Sequence, residues 1–308
     1  MSDIRNVAIL LATYNGEKYL ADQIESIRNQ TFSNYNVYMH DDGSNDKTAE
    51  ILRAYCLKDD RFHLIEGPTF GDAKDNFFFL MRCIGNEEYI MFCDQDDYWL
   101  PEKIEKSLDT IRIVEKKTDV ACIYSDLLVV DENLNTISSS FYSYSGKNPH
   151  NNKLQSLLMS NVVVGCTMMI NRNLLNKSIE NVDQDLLFMH DWWIALIAAA
   201  SGQLVYINEP LLKYRQHCNN VVGAIKKRNM QTRIKEFVTL KNYETNHSRM
   251  RRSVNYSIAM DKVLDAHENR KLIHQMSKAY EHWWGYRAWF FVKNGLIPLK
   301  YLWRVIWL

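Results

Sequence analysis

The chain has 308 residues, 46% hydrophobic and 24% charged, enough to bury a large core in one large or two ordinary domains, which excludes a disordered protein. Net charge is zero, but residues 224–308 carry 17 Lys/Arg against 6 Asp/Glu, leaving 20 against 31 for residues 1–223. The six cysteines, Cys56, Cys83, Cys93, Cys122, Cys166 and Cys218, form no C-x-x-C pair and sit mostly in apolar runs, so reduced core thiols are expected rather than a zinc site or disulfide framework.

Val7–Ala12 is a short apolar run of strand formers, followed by a polar turn and a helical pattern from about Lys18 to Arg28. The run is too short for a signal segment and leads into polar Thr13–Glu17, so a cytoplasmic protein is expected. Tyr35–His40 reads as a second strand, Asp41-Asp42-Gly43-Ser44 as a turn, and Lys47–Leu57 as a helix with Asp46 near its start as a cap. Phe62–Ile65, a helix around Asp75–Cys83 and the apolar strand Tyr89–Cys93 continue the alternation. Alternating strands and helices predict a mostly parallel α/β sheet with helices on both faces.

Leu100–Lys116 reads as a helix opening near Pro101, and Val120–Ser125 as a strand. Residues 131–152, rich in Ser, Asn and Tyr, predict a surface loop or hairpin. Val162–Ile170 is expected as a strand carrying Gly165, Asp191–Ala200 as a helix and Leu204–Ile207 as the last strand of the body. The expected boundary is Gly223, giving domains 1–223 and 224–308, the second helical, basic and aromatic.

In such sheets ligands bind beyond the carboxyl ends of the strands. Three polar clusters fall there: Thr13-Tyr14-Asn15-Gly16, Asp41-Asp42-Gly43 and Asp94-Gln95-Asp96-Asp97. Carboxylates after an apolar strand can hold Mg²⁺ or Mn²⁺ for a diphosphate, or merely cap the next helix. Asp41 or Asp42 can accept a hydrogen bond from a base or ribose, or make an ordinary Asp-Gly turn. His190-Asp191-Trp192-Trp193 opens a helix. Asp191 there is either a general base beside two sugar-stacking aromatics or a helix cap beside core tryptophans.

Together these elements resemble glycosyltransferase family 2, whose members have the GT-A fold. The resemblance runs from about Val7 to Gly223 and rests on VAILLATYNGEKYL (Val7–Leu20), Gln30-Thr31-Phe32, DDGSNDKT (Asp41–Thr48), CDQDDYWLPEK (Cys93–Lys103) and HDWW (His190–Trp193). It implies that Thr13, Tyr14, Asn15 and Glu17 line a nucleoside pocket, that Asp42, or else Asp41, contacts the base, and that Asn76 belongs to the donor pocket. Asp94 and Asp96 correspond to the family's D-x-D pair, Asp96 the better metal ligand, with Gln95 between them. Asp191 corresponds to the catalytic base of a one-step inverting transfer, with Trp192 and Trp193 at the acceptor. A narrower resemblance, including YRQHCNNVVG (Tyr214–Gly223), points to a rhamnosyltransferase branch using dTDP-L-rhamnose, with a UDP-sugar left open. It puts Arg215, Gln216 and His217 near the diphosphate; a structural hydrogen bond is the other reading of His217.

Five of the eight tryptophans, Trp283, Trp284, Trp289, Trp303 and Trp307, lie in the basic tail with Arg287, Lys293, Lys300 and Arg304. That mixture suits peripheral contact with an anionic membrane surface or a polyprenyl-linked glycan acceptor; packing against the body or a homo-oligomer partner is the alternative. No nucleic-acid-binding motif accompanies it. A nucleotidyltransferase is disfavoured because Thr13–Lys18 holds one glycine, and a silent nucleotide-sugar-binding scaffold because Asp96 and Asp191 are both present.

Overall fold

The computed structural model describes residues 6–217, 240–264, 269–278 and 292–294. The boundary expected at Gly223, Cys218, the five tail tryptophans, Arg287, Lys300 and Arg304 lie outside the described residues.

The strands are β1 (Val7–Thr13), β2 (Tyr35–Asp41), β3 (Phe62–Leu64), β4 (Tyr89–Asp94), β5 (Tyr98–Trp99), β6 (Ala121–Val130), β7 (Thr136–Ser138), β8 (Met168–Asn171) and β9 (Gln203–Arg215). They form one sheet in the order β3-β2-β1-β4-β8-β6-β9-β5, with β7 paired to β6. β3, β2, β1 and β4 pair in parallel, as do β6 and β9, while β8 runs antiparallel to both β4 and β6. Six of the nine strands therefore point the same way, as the alternating pattern predicts.

The helices are α1 (Leu20–Arg28), α2 (Thr48–Lys58), α3 (Ala73–Cys83), α4 (Lys103–Glu115), α5 (Phe141–Ser145), α6 (Leu154–Met159), α7 (Arg172–Ile179), α8 (His190–Ser201), α9 (Leu240–Val263) and α10 (Arg270–Ser277). From β1 the chain steps outward to β2 and β3, then returns past β1 to β4. Right-handed crossovers then put α1 and α2 on one face and α3 on the other. α3 packs with α7 and α8, and α1 with α2. The reversal of strand order lies between β1 and β4, where a crevice opens at the carboxyl edge. Both strands are buried through their apolar residues, Val7–Leu11 at 0% exposure. Their ends are thus held rigidly at that crevice.

Three elements differ from expectation. Gly165–Thr167 forms a 3₁₀ turn and only Met168–Asn171 is strand, so Gly165 sits at a bend beside α8. β9 extends through Arg215, because past Ile207 it pairs with both β6 and β5. Residues 131–152 resolve into the short strand β7, folded back on β6, and the helix α5. Among the described residues no helix is long and apolar enough to cross a membrane.

Gly202 joins α8 to β9 where the chain grazes β6. A Cβ there would stand 2.0 Å from the Val120 carbonyl oxygen, a backbone atom that cannot swing aside. Gly202→Ala is therefore expected to lower stability by about 1–3 kcal/mol, read as a lower urea midpoint. An unchanged midpoint would contradict this close approach.

Candidate functional site

The loops after β1 and β2 are laced together. The Thr13 hydroxyl lies 3.0 Å from Asp41 Oδ1 and 3.2 Å from the His40 carbonyl oxygen. Asp41 also accepts from the Ser44 hydroxyl (2.6 Å) and amide (3.0 Å), so its carboxylate closes its own turn. Asn15, left-handed at φ 47°, donates its amide to Ser44 Oγ and accepts from the Asn45 amide at 2.9 Å. Glu17 accepts from the Lys47 amide at 3.0 Å. The Asp42 carboxylate, 5% exposed, is aimed by the amides of Phe70 and Gly71. Asn76, 2% exposed, meets His40 Nδ1 at 3.0 Å, and the Tyr14 ring stands free at 54% exposure. The structure thus brings Thr13, Tyr14, Asn15, Glu17 and Asp42 into one rim, with Asp41 bonded behind it to Thr13 and Ser44.

Gln95 ties that rim to β4. Its side-chain oxygen accepts from the Tyr14 amide and its nitrogen donates to the Tyr14 carbonyl, both at 2.8 Å. Gly16 makes room for this clamp, because a Cβ there would stand 2.2 Å from Gln95 Oε1.

Beyond Gln95 the carboxylates gather. Asp94, Asp97 and Cys166 offer ligand atoms all within 4.8 Å of one another. Burial, then the charges of Asp96 and Asp191, push the Asp94 carboxyl up to about 7. Burial, then Asp96 and Asp94, push Asp97 well above the ordinary range. Asp97 Oδ1 accepts from the Arg215 amide at 3.3 Å, whereas its Oδ2 is buried with no hydrogen-bond partner. An orphaned carboxylate oxygen beside a second carboxylate fits a hard divalent cation. The Cys166 thiol beside them is held protonated by burial, so it meets the carboxylates as a thiol and not as a thiolate. Beneath the cluster lies Lys103, fully buried, its ammonium 2.9 Å from the Cys166 carbonyl oxygen and 4.5 Å from the Trp99 ring centroid. Burial lowers its pKa to about 8.

Asp96 turns away from that trio, its Oδ2 2.7 Å from His217 Nε2. The His217 ring packs on Tyr19 at 4.9 Å. Arg215 differs from its expected place at a diphosphate. Its buried guanidinium binds the carbonyl oxygens of Asp96 (2.9 Å) and Glu132 (2.6 Å) and Asp22 Oδ2 (3.2 Å), over the Tyr19 ring. Its side chain is an internal clamp on the acidic loop, because β9 runs on far enough to carry it under that loop.

Asp191 stands in the first turn of α8, with Oδ1 accepting from the Trp192 amide at 2.5 Å. Burial raises its carboxyl to about 6 against the lowering pull of the Trp192 and Gly165 amides. Gly165 passes so close that a Cβ would lie 3.4 Å from Asp191 Cβ and 3.2 Å from His190 Nε2. His190 packs against Phe77 (4.1 Å) and Phe92 (5.2 Å), and burial holds it neutral with its pKa near 3. The expectation that Trp192 and Trp193 stack on an acceptor sugar is corrected. They are 6% and 0% exposed, with indoles donating to the carbonyls of Leu157 and Ser178. The apolar stripe of α8 faces the core, and both rings go with it.

Sequence reasoning missed Cys166, which lay in an apolar run and carried no signal of its own. It also left Asp97 and Lys103 without roles, although both fall inside the quoted CDQDDYWLPEK segment.

Residues 8–179 match the family model for Glycosyl transferase family 2. Over 232 residues the chain is 31% identical to the dTDP-rhamnosyl transferase RfbG of Shigella flexneri, covering 70% of this chain and 74% of that protein. It is 29% identical over 252 residues to an uncharacterised glycosyltransferase of Methanocaldococcus jannaschii, covering 78% of this chain and 80% of that one. Among solved structures, S. aureus TarS 1–349 in complex with UDP-GlcNAc is similar with a TM-score of 0.56 at 15% identity, covering 97% of this chain and 78% of that one. The mannosyltransferase PcManGT of Pyrobaculum calidifontis, in complex with GDP-Man and Mn²⁺, gives 0.54 at 12% identity, covering 98% and 84%. These likenesses show the fold, that of GT-A glycosyltransferases.

Asp94 and Asp191 have folded values raised above the ordinary 3.8. Their protons stabilise the fold fully below about pH 4, and that contribution is lost as pH rises through about 7. Without divalent cation, the melting temperature of the wild type is expected to fall relative to that of Asp94→Asn between pH 4 and pH 7. Parallel pH profiles would contradict the buried cluster.

Proposed function

Because the chain belongs to glycosyl transferase family 2, we propose that it is an inverting, divalent-cation-dependent transferase moving L-rhamnose from dTDP-L-rhamnose to a hydroxyl of a glycan or polyprenyl-linked acceptor in bacterial surface-polysaccharide synthesis. The observation that carries this reading is the meeting of Asp191 with the Asp94–Asp97 cluster in the crevice between β1 and β4, close enough that the Asp191 charge raises Asp94.

Thr13, Tyr14, Asn15, Glu17 and Asp42 form the rim that receives the nucleoside, Asp42 offering a fixed carboxylate to the base. Asp41 and Asn76 stand behind it, holding Thr13 and His40. Asp94 and Asp97, with Asp96 alongside, would hold Mg²⁺ or Mn²⁺, which when bound offsets the charge of the departing diphosphate. Asp191 takes the proton of the acceptor hydroxyl. The acceptor oxygen then bonds to the anomeric carbon as the bond to the diphosphate breaks on the opposite face. Its raised pKa makes Asp191 a stronger base than an exposed aspartate, and transfer falls off below about pH 6.

The rhamnosyl donor rests on the motifs from Cys93 to Gly223 and on the likeness to a protein named for dTDP-rhamnosyl transfer. A UDP-sugar is the second reading, favoured by the fold's likeness to a protein solved with UDP-GlcNAc. We further assign residues 1–223 to the catalytic domain and residues 224–308 to acceptor or membrane-surface contact at the cytoplasmic side.

Calorimetric titration with dTDP, UDP and GDP, each with and without Mn²⁺, is expected to show Mn²⁺-dependent preference for dTDP. Preference for UDP would replace rhamnose but keep the transferase. Asp191→Asn is expected to abolish transfer while leaving dTDP affinity nearly intact, and wild-type turnover in that variant would contradict the assigned base.

A further inference from the structure

The helix that presents Asp191 gets no cap bond from its N-cap residue, Met189; in its first turn the Trp192 amide is taken by Asp191 itself. The first amides of a helix have no partners within it and must find them elsewhere or in water. For the N-cap amide, that of Met189, and for the Phe188 amide just before it, the partner comes from α9, a helix outside the matched segment 8–179. The Tyr256 hydroxyl accepts from the amides of Phe188 (3.1 Å) and Met189 (2.9 Å) and donates to the Met189 carbonyl oxygen at 3.2 Å. One hydroxyl has one donor and two acceptor sites, so all three are engaged.

The ring of Tyr256, 0% exposed, packs on Trp192 at 4.9 Å, immediately beyond Asp191. One side chain therefore grips the segment on both sides of the carboxylate. One helical turn earlier, Arg252 lies 3.8 Å from the Phe188 ring centroid, so α9 holds residues 188–192 on both sides of Asp191. Further along the same helix Lys262 makes a separate, exposed ion pair with Asp183 at 3.0 Å.

We infer that Tyr256 is a positioning residue for transfer: it caps α8 from the C-terminal helical region and fixes the direction in which Asp191 meets the acceptor hydroxyl. This rests on the proposed role of Asp191. It gives the C-terminal region a part in the chemistry, beyond any contact with acceptor or membrane. A general base works only within hydrogen-bond reach of its proton, and a displacement of about 1 Å can cost about a hundredfold in rate.

Tyr256→Phe keeps the ring on Trp192 and removes only the hydroxyl. In the full chain, amide hydrogen exchange is expected to quicken in the 186–192 segment while β1 and β4 keep their protection. Steady-state transfer is expected to lose about tenfold or more in kcat, with donor KM and nucleoside diphosphate affinity within about twofold of wild type. Lys262→Ala, which breaks an exposed ion pair on the same helix, is expected to keep the wild-type kcat. Unchanged exchange at 186–192, an unchanged kcat, or a loss shared equally by Lys262→Ala would overturn the inference. Should Tyr256→Phe not fold, Arg252→Met, which frees Phe188, carries the same test, with a smaller fall in kcat expected and no change contradicting it. If the wild type transfers no sugar, the proposed function fails on that result, while the exchange measurement still decides the clamp.

Discussion

Like charges brought together in a poorly hydrated crevice repel strongly: two unit charges 4 Å apart near a protein surface cost about 4 kcal/mol. Asp94, Asp96, Asp97 and Asp191 are all drawn toward the carboxyl end of β4, so the surrounding structure must tolerate or offset that repulsion. Burial and the neighbouring carboxylates push Asp94 and Asp97 above the ordinary aspartate range, burial alone lifts Asp191 only to about 6, and Cys166 beside Asp94 and Asp97 stays a thiol. His217 takes Asp96, the buried ammonium of Lys103 lies below, and Arg215 clamps the loop backbone. One oxygen, Asp97 Oδ2, is left without a partner. That unpartnered oxygen is what the proposed divalent cation would satisfy.

The scaffold around the cluster is rigid where rigidity serves it. β1 and β4 are buried side by side, and Gln95 joins their loops through both polar ends of its amide. At Gly16 the Gln95 amide stands where a Cβ would go, and at Gly165 a Cβ would be tight against His190. Asp191, the proposed base, reaches the cluster on α8, an almost wholly apolar helix whose burial fixes its position. Burial also accounts for the neutral His190, packed between two phenylalanines.

Much of this is legible in the sequence because it is local. The runs Val7–Ala12 and Tyr89–Cys93 are apolar over strand length, and the polar clusters directly after them had to fall at the sheet's carboxyl edge. What sequence hides is what long-range packing decides. Nothing local marks Cys166 as a neighbour of Asp94 and Asp97, since 3₁₀ winding at Gly165–Thr167 interrupts a run that reads as strand. Trp192 and Trp193 look equally suited to a sugar or a core, and only the direction of α8 selects the core. Arg215 reads as a phosphate ligand until the length of β9 shows it folded beneath Asp96.

If the Asp94–Asp97 cluster is the proposed seat for a divalent cation and a nucleoside diphosphate, protons report on it directly. Calorimetry of Mn²⁺ binding in the presence of dTDP at pH 6.5, in two buffers of different ionisation enthalpy, counts the protons exchanged. With the Asp94 carboxyl pushed up to about 7, net proton release on binding is expected, diminished in Asp94→Asn. Binding with no proton release, or no Mn²⁺ binding at all, would contradict it.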